Sequence, residues 1–150
     1  MKTFEVPSLV QSDLNSNITD LLIDRVAKDP KLALMTKQNQ PNVWDEVSAQ
    51  DYLEEVKALA KGFIAAGVEV GQRVGVMSHT RYEWALCDFA LWFAGAISVP
   101  IYESSAASQI EWILGDSEAI ACIFEDKTMK SLFDSVSKNL PAVKKTWILR

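Results

Sequence analysis

A single histidine, His79, follows Ser78 where a predicted strand gives way to a predicted helix. Open α/β sheets place their ligands at the carboxyl ends of parallel strands, so this position could meet a substrate. The surrounding residues depart from the G-x-S-x-G pattern of a nucleophile elbow, and the sequence places no carboxylate beside the pair. We therefore expect His79 to make a structural hydrogen bond in a loop, with contact to a ligand as the alternative.

Two cysteines, Cys87 and Cys122, are the other residues that could act as nucleophiles or metal ligands. Both lie in apolar stretches, where a free cysteine behaves as a small hydrophobic side chain. One histidine and two cysteines in separate elements do not assemble a metal site. We therefore predict no metal site and no catalytic residue within this chain.

Three glycines at intervals of four, Gly67, Gly71 and Gly75, have a spacing that suggests a phosphate-binding loop. Such a loop follows a strand and opens a helix, so that backbone amides and the helix dipole face the anion. Here the order is reversed, because the glycines follow a predicted helix and open a predicted strand. The chain also contains neither G-x-x-x-x-G-K-[ST] nor G-x-G-x-x-G, so we expect cap and turn residues instead.

Two charged residues belong to the most apolar predicted helix, which covers residues 81–94. Asp88 lies among apolar side chains, and a buried charge is costly unless it is paired. Arg81 lies at the start of the helix, where a cation opposes the helix dipole. We expect Asp88 to be a satisfied structural carboxylate and Arg81 to have a specific partner, either structural or a ligand.

Residues 100–105 form a second junction between strand and helix, and they carry the hydroxyls of Ser104 and Ser105. Such a junction can hold an anion or the polar edge of a ligand. Plain capping of the following helix is the alternative.

Short apolar runs alternate with longer segments of helical periodicity over most of the chain. The runs are nearly continuous, as in strands buried on both faces, and the alternation indicates right-handed βαβ units. Upstream, residues 32–36 and 43–47 predict strands joined by a loop at 38–42. We predict an α/β fold: a doubly wound, mostly parallel sheet with helices on both faces and a short N-terminal β-hairpin, forming part of a domain. The predicted sheet strands are 73–78, 97–101, 119–124 and 146–149.

Helix ends are predicted from their capping residues. Thr80 with Glu83 fits the capping-box pattern and predicts the start of the helix at 81–94. A serine hydroxyl at 104 or 105 is predicted to start the next helix, and Asp126 the last one. Gly67 is predicted to end an earlier helix in the left-handed conformation.

The chain has 150 residues, of which 49% are hydrophobic, and a net charge of -5. This apolar content supports a buried core and excludes disorder as the main state.

The acidic net charge disfavours nucleic-acid binding, which needs a basic surface to displace counterions. Residues 1–126 hold nine basic and nineteen acidic side chains (-10), whereas residues 127–150 hold six and one (+5). The basic end is a solvated helix face or a surface for an acidic partner.

The longest apolar stretch, residues 84–99, is interrupted by Asp88 and Gly95 and is shorter than the roughly 20 residues of a membrane-spanning helix. The N-terminus has no apolar signal core. Two thiols without a secretory leader indicate a reducing compartment, which predicts a cytoplasmic location. Peripheral contact with a membrane is left open.

Several segments carry a specific resemblance to a known family. The matching segments are Gly71–Trp84, Asp88–Ala90, Ala94–Ala96, Val99–Glu103 and Gln109–Ala119, with Trp44–Ser48 and Tyr52 upstream. They resemble the N-terminal region of adenylate-forming enzymes, and within these the bacterial long-chain fatty acid–CoA ligases. No generic fold would place Arg-Tyr-Glu-Trp and Val-Pro-Ile-Tyr together. Gln72 departs from the acidic residue that is usual in the family, at a turn position.

The resemblance implies ATP-dependent activation of a fatty acid to an acyl-adenylate, followed by transfer to the thiol of coenzyme A (CoA). The full-length enzyme would use ATP, Mg2+ and CoA, none of which we expect these 150 residues alone to bind tightly. Residues 17–150 would form the first α/β part of the large N-terminal domain, after an N-terminal extension at 1–16. The catalytic segments of the family would lie beyond Arg150, so this chain alone would be inactive.

The resemblance also carries over a small set of binding residues. Tyr102, Glu103 and Ser104 match a stretch that lies near the CoA nucleotide in related acyl–CoA ligases. The resemblance implies that these three residues lie near CoA in the full-length enzyme, and it carries over no catalytic residue.

The last predicted strand runs to within one residue of Arg150, which indicates a piece of a longer α/β protein. Two other functions stay open: a non-catalytic α/β domain that binds a ligand, and an interaction module. In the second, strand 146–149 would be an exposed sheet edge that pairs with another chain and forms a dimer.

Overall fold

Four parallel strands with helices on both faces form the centre of the computed structural model, which describes residues 3–7, 9 and 15–149. The strand order is β4-β3-β5-β6, so the predicted doubly wound parallel sheet is confirmed. The elements in chain order are α1 (Ile18–Lys28), β1 (Ala33–Gln40), β2 (Val43–Ser48), α2 (Ala49–Ala65), β3 (Arg73–Met77), α3 (Tyr82–Phe93), β4 (Ile97–Ile101), α4 (Ala107–Asp116), β5 (Ala121–Phe124), α5 (Lys127–Val136) and β6 (Lys145–Ile148). Half of the extension expected at 1–16 lies outside the described residues.

The hairpin of β1 and β2 is antiparallel and longer than expected. Gln40 pairs with Val43, so the turn contains only Pro41 and Asn42, where a five-residue loop was predicted. Asn42 has φ 64°, a left-handed conformation that asparagine tolerates. The polar residues of 38–40 join the ladder because an exposed hairpin needs no apolar side chains to pair its backbone.

Successive side chains of each strand point to opposite faces of the sheet, so the core has two layers. On one face of the sheet, Val74, Val76 and Ile123 pack against α2 and α3. On the other face, Met77, Ile101 and Phe124, the last residues of β3, β4 and β5, pack against α4 and α5. A third cluster joins α3 to α2 and the hairpin, with Tyr52 meeting Phe89 edge to face. Helix α3 is therefore buried on more than one side, as its apolar sequence predicts.

The predicted capping residues of two helices are wrong. Helix α3 begins at Tyr82 with Arg81 in the cap position, and the side chain of Thr80 makes no capping box. The carboxylate of Glu83 binds the guanidinium of Arg81 instead, because an opposite charge attracts it more strongly than a backbone amide. Helix α4 begins after Ala106, whose amide donates to the side-chain oxygen of Gln109, so neither serine caps it.

The other helix ends agree with the prediction from capping residues. Asp126 accepts from the amide of Met129 and caps α5, and Gly67 has φ 89° after α2.

Strand β6 pairs only with β5 among the described residues and forms one edge of the sheet. Within the same residues, no helix combines the length and apolarity needed to cross a bilayer.

Gly75 lies in the middle of β3 because nothing larger fits there. A methyl group at this position would come within 2.6 Å of Leu114 Cδ2 and 2.8 Å of Cys122 Sγ. We expect Gly75→Ala to lower the free energy of unfolding by about 1–3 kcal/mol through overpacking. Urea unfolding followed by circular dichroism measures the change.

Gly62 provides the matched control. It lies inside α2, and a methyl group there would have no neighbour within 4 Å. Gly62→Ala should raise the free energy of unfolding by about 0.5–1 kcal/mol, because alanine gains helix propensity without a clash. Equal effects of the two substitutions would contradict the packing argument.

Candidate functional site

The carboxyl ends of the parallel strands bring together the residues that follow β3, β4 and β5. Ser78 and His79 follow β3, Tyr102 follows β4, and Glu125 follows β5. This is the edge at which open α/β sheets bind ligands. It therefore contains the candidate functional site.

Glu125 is the centre of this edge. Glu125 is only 2% exposed, and its backbone amide donates to the carbonyl of Met77 at 2.9 Å. Its Oε2 accepts from Ser78 Oγ at 3.1 Å and from the His79 amide at 2.8 Å. The same oxygen lies 2.8 Å from His79 Nδ1. The carboxylate that the sequence did not place beside His79 is thus supplied by β5, and the expected structural hydrogen bond of His79 is confirmed.

Arg81 completes the cluster and has the specific partners that were predicted. Its Nη1 lies 3.4 Å from Glu125 Oε1, and its Nε donates to Glu83 Oε2 at 2.5 Å. The hydrogen bond to Glu83 raises the pKa of Arg81. Burial by itself would raise the pKa of Glu83, but the hydrogen bond and charge of Arg81 lower it overall. Both groups stay charged at neutral pH.

A cleft of about 390 Å³ lies between the ends of β3 and β4. Ser78, Thr80 and Trp84 line one side, and residues 100–103 line the other. Tyr102 is 81% exposed at this position. Of the three residues predicted to lie near CoA, Tyr102 and Glu103 line the cleft, whereas Ser104 is exposed in the adjacent turn and does not line it.

A second cleft of about 470 Å³ lies between the ends of β3 and β5 and the hairpin. The hairpin contributes Lys37 and the exposed indole of Trp44, and the sheet edge contributes His79, Arg81 and Glu125. Sequence reasoning did not find this cleft, because it arises from two elements that are far apart in the chain. Thr80 lines both clefts and separates them.

Asp88 and the cysteines lie away from these clefts. Ser98 Oγ donates to Asp88 Oδ1, which confirms the prediction of a satisfied structural carboxylate. Burial raises the pKa of Asp88, and the hydrogen bond from Ser98 opposes the rise. Burial also raises the pKa of the Cys87 thiol to about 12, and burial raises that of Cys122 as well. Neither thiol ionises readily, so neither is a reactive nucleophile.

Gly67 and Gly71 have the cap and turn roles that were expected, with φ 89° and 79°. Gly75 does not, because it lies inside β3, so the prediction is wrong for that residue. Within residues 3–7, 9 and 15–149, no three His, Cys, Asp or Glu side chains form a group that could hold a metal ion.

Removal of the buried carboxylate should be costly. Glu125→Ala leaves the His79 amide and part of Arg81 without an acceptor and removes one of the two acceptors of the Ser78 hydroxyl, so we expect the free energy of unfolding to fall by about 3 kcal/mol. Asp134→Ala is the control, since Asp134 is half exposed and pairs with Lys130 on the same helix. Its loss should cost under about 1 kcal/mol. Chemical denaturation of both variants measures the difference, and similar losses would exclude Glu125 as a structural anchor.

The chain matches a family model described as AMP-binding enzyme over residues 24–150. The long-chain-fatty-acid–CoA ligase FadD15 of Mycobacterium tuberculosis is 33% identical over 144 residues, which cover 96% of this chain and 24% of that protein. The long-chain-fatty-acid–CoA ligase ACSBG2 of Xenopus laevis is 30% identical over 113 residues, which cover 75% of this chain and 15% of that protein. This chain thus spans about a quarter or less of the length of these relatives.

The fold is shared with solved structures. A long-chain-fatty-acid–CoA ligase, FadD1 from Archaeoglobus fulgidus, superposes with a TM-score of 0.77 at 22% sequence identity, covering 97% of this chain and 29% of that one. The resemblance carried by the Arg-Tyr-Glu-Trp and Val-Pro-Ile-Tyr segments is therefore confirmed by sequence and by fold. Because the family model covers most of its length, the chain belongs to the AMP-binding family of adenylate-forming enzymes.

Proposed function

We propose that this chain is the first α/β part of the large N-terminal domain of an ATP-dependent long-chain fatty acid–CoA ligase. The observation that carries the proposal is the 33% identity to a long-chain-fatty-acid–CoA ligase over 96% of the chain. The reaction would form an acyl-adenylate from the fatty acid and ATP, and then a thioester with CoA. Cys87 and Cys122 are free buried thiols, which supports a reducing, cytoplasmic compartment as part of the proposal.

In this proposal the chain provides a scaffold and one wall of the binding region. Tyr102 and Glu103 line the cleft at the end of β4, and we propose that they lie near CoA together with Ser104. An exposed tyrosine at a cleft can stack on a nucleotide base. The contact would be one of surface and shape, since Glu103, the charged residue that lines the cleft, would repel phosphate.

The chemistry of acyl activation would come from residues elsewhere in the longer protein. Adenylation needs donors and cations placed where charge develops in the transition state. Within the described residues, Arg81 is already committed to Glu83 and Glu125. Among the same described residues, no three His, Cys, Asp or Glu side chains form a group that could hold a metal ion, and no part of the chemistry of Mg2+ is assigned to them.

The isolated chain should therefore show no ligase activity. With ATP, Mg2+, palmitate and CoA, we expect pyrophosphate release no faster than in a reaction without fatty acid. Release that depends on fatty acid would overturn the assignment of this chain as scaffold.

The longer polypeptide of the same reading frame is the second arm of this test. It should release pyrophosphate and form palmitoyl-CoA only when fatty acid is present. A folded longer protein that consumes no ATP with any fatty acid would contradict the ligase proposal itself.

Tyr102 allows a direct test of the CoA contact. Because its side chain is 81% exposed, Tyr102→Ala should leave the fold intact. Loss of one stacked aromatic ring should raise the KM for CoA in the longer enzyme by about tenfold. The KM values for ATP and fatty acid should stay unchanged. Trp112→Ala is the matched control, since Trp112 is an exposed aromatic residue on α4 outside this cleft, and an equal effect there would contradict the contact.

A further inference from the structure

The contact between His79 and Glu125 determines which nitrogen of the imidazole faces the solvent. Glu125 Oε2 accepts from the His79 amide, which can only donate, and Glu125 Oε1 faces the guanidinium of Arg81, which also can only donate. The carboxylate therefore acts as an acceptor on both oxygens. His79 Nδ1, 2.8 Å from Oε2, must then carry the proton of that hydrogen bond.

The remaining nitrogen, Nε2, is left as a bare acceptor in the neutral ring. The side chain of His79 is 60% exposed and lines the cleft between the strand ends and the hairpin. Its ring is held by a carboxylate that is itself buried and tied to Ser78 and to the backbone. A ring nitrogen whose orientation and proton are fixed in this way is a prepared contact for a hydrogen-bond donor.

The charges around this cleft indicate whether the ligand that donates to His79 is charged or neutral. Arg81 is paired with Glu83 and Glu125. Lys37 lies 3.6 Å from Glu55 and over the ring of Tyr82. Both cations are therefore neutralised by neighbours, so the cleft has an available acceptor and an exposed indole but no unpaired cation for an anion.

We propose that this cleft binds a neutral ligand group that donates an N–H, O–H or S–H hydrogen bond to His79 Nε2 and covers the indole of Trp44. Glu125 is the positioning residue, and His79 and Trp44 make the contact. The pantetheine arm of CoA and an adenosine group share this chemistry, because both carry donors and no charge. This cleft is a different one from that of Tyr102. The choice of pantetheine and adenosine rests on the proposed function, whereas their binding can be measured without ligase activity.

Nuclear magnetic resonance can read the first part of the proposal without any ligand. Because His79 is the only histidine, a long-range ¹H–¹⁵N spectrum of the labelled chain contains one imidazole. At mildly alkaline pH, we expect the Nδ1 resonance in the range of a protonated ring nitrogen and the Nε2 resonance in the range of an unprotonated one. A proton on Nε2 instead would overturn the proposal.

Titration with pantetheine and with adenosine tests the second part and separates the two sources. We expect a saturable movement of the Nε2 resonance and of the Trp44 indole signal with one of them. Movement with neither, or movement with inorganic phosphate alone, would refute the binding site whatever the tautomer. The site would then be a structural hydrogen bond only.

Two substitutions of the same residue separate the acceptor from the fold. His79→Ala removes the acceptor and should weaken binding of the responsive ligand roughly five- to tenfold, the loss of one hydrogen bond. His79→Gln places an amide oxygen near the position of Nε2 and should keep most of the affinity. Equal affinity of both variants and the unsubstituted chain would contradict a contact through Nε2.

Discussion

A buried carboxylate destabilises the fold strongly unless it is paired and hydrogen-bonded, and Glu125 is such a carboxylate. Its partners come from the segment that follows β3 and from the cap of α3. The carboxylate therefore fixes the path of the chain from β3 into α3. An apolar residue at this position would leave the amide of His79 without an acceptor and the guanidinium of Arg81 without one of its two partners.

The contacts continue outward from α3 to the hairpin. Tyr82, the first residue of α3, donates its hydroxyl to Glu55 on α2 at 3.0 Å. Glu55 also lies 3.6 Å from Lys37 on β1. Because the same turn that Glu125 holds also begins α3, the position of the hairpin over the sheet edge follows from the position of α3. Both clefts at this edge are consequences of one turn between β3 and α3.

Local patterns predicted most of the fold, because each one is decided by neighbouring residues. The strand at Ile97–Ile101 and the cap at Asp126 depend on periodicity and on side chains within three positions. The wrong capping residues at α3 and α4 arose where a side chain preferred another partner. Glu83 found Arg81, and Gln109 made the cap contact that a serine was expected to make.

The candidate site was predicted less completely for the opposite reason. His79 and Glu125 are 46 residues apart, and only the parallel pairing of β3 with β5 brings them together. A strand order of β4-β3-β5-β6 cannot be read from alternation alone, since other orders bury the same apolar runs. Once that order is known, the residue after β5 must lie beside the residues after β3. The acidic residue at this place then has a role that no local pattern contains.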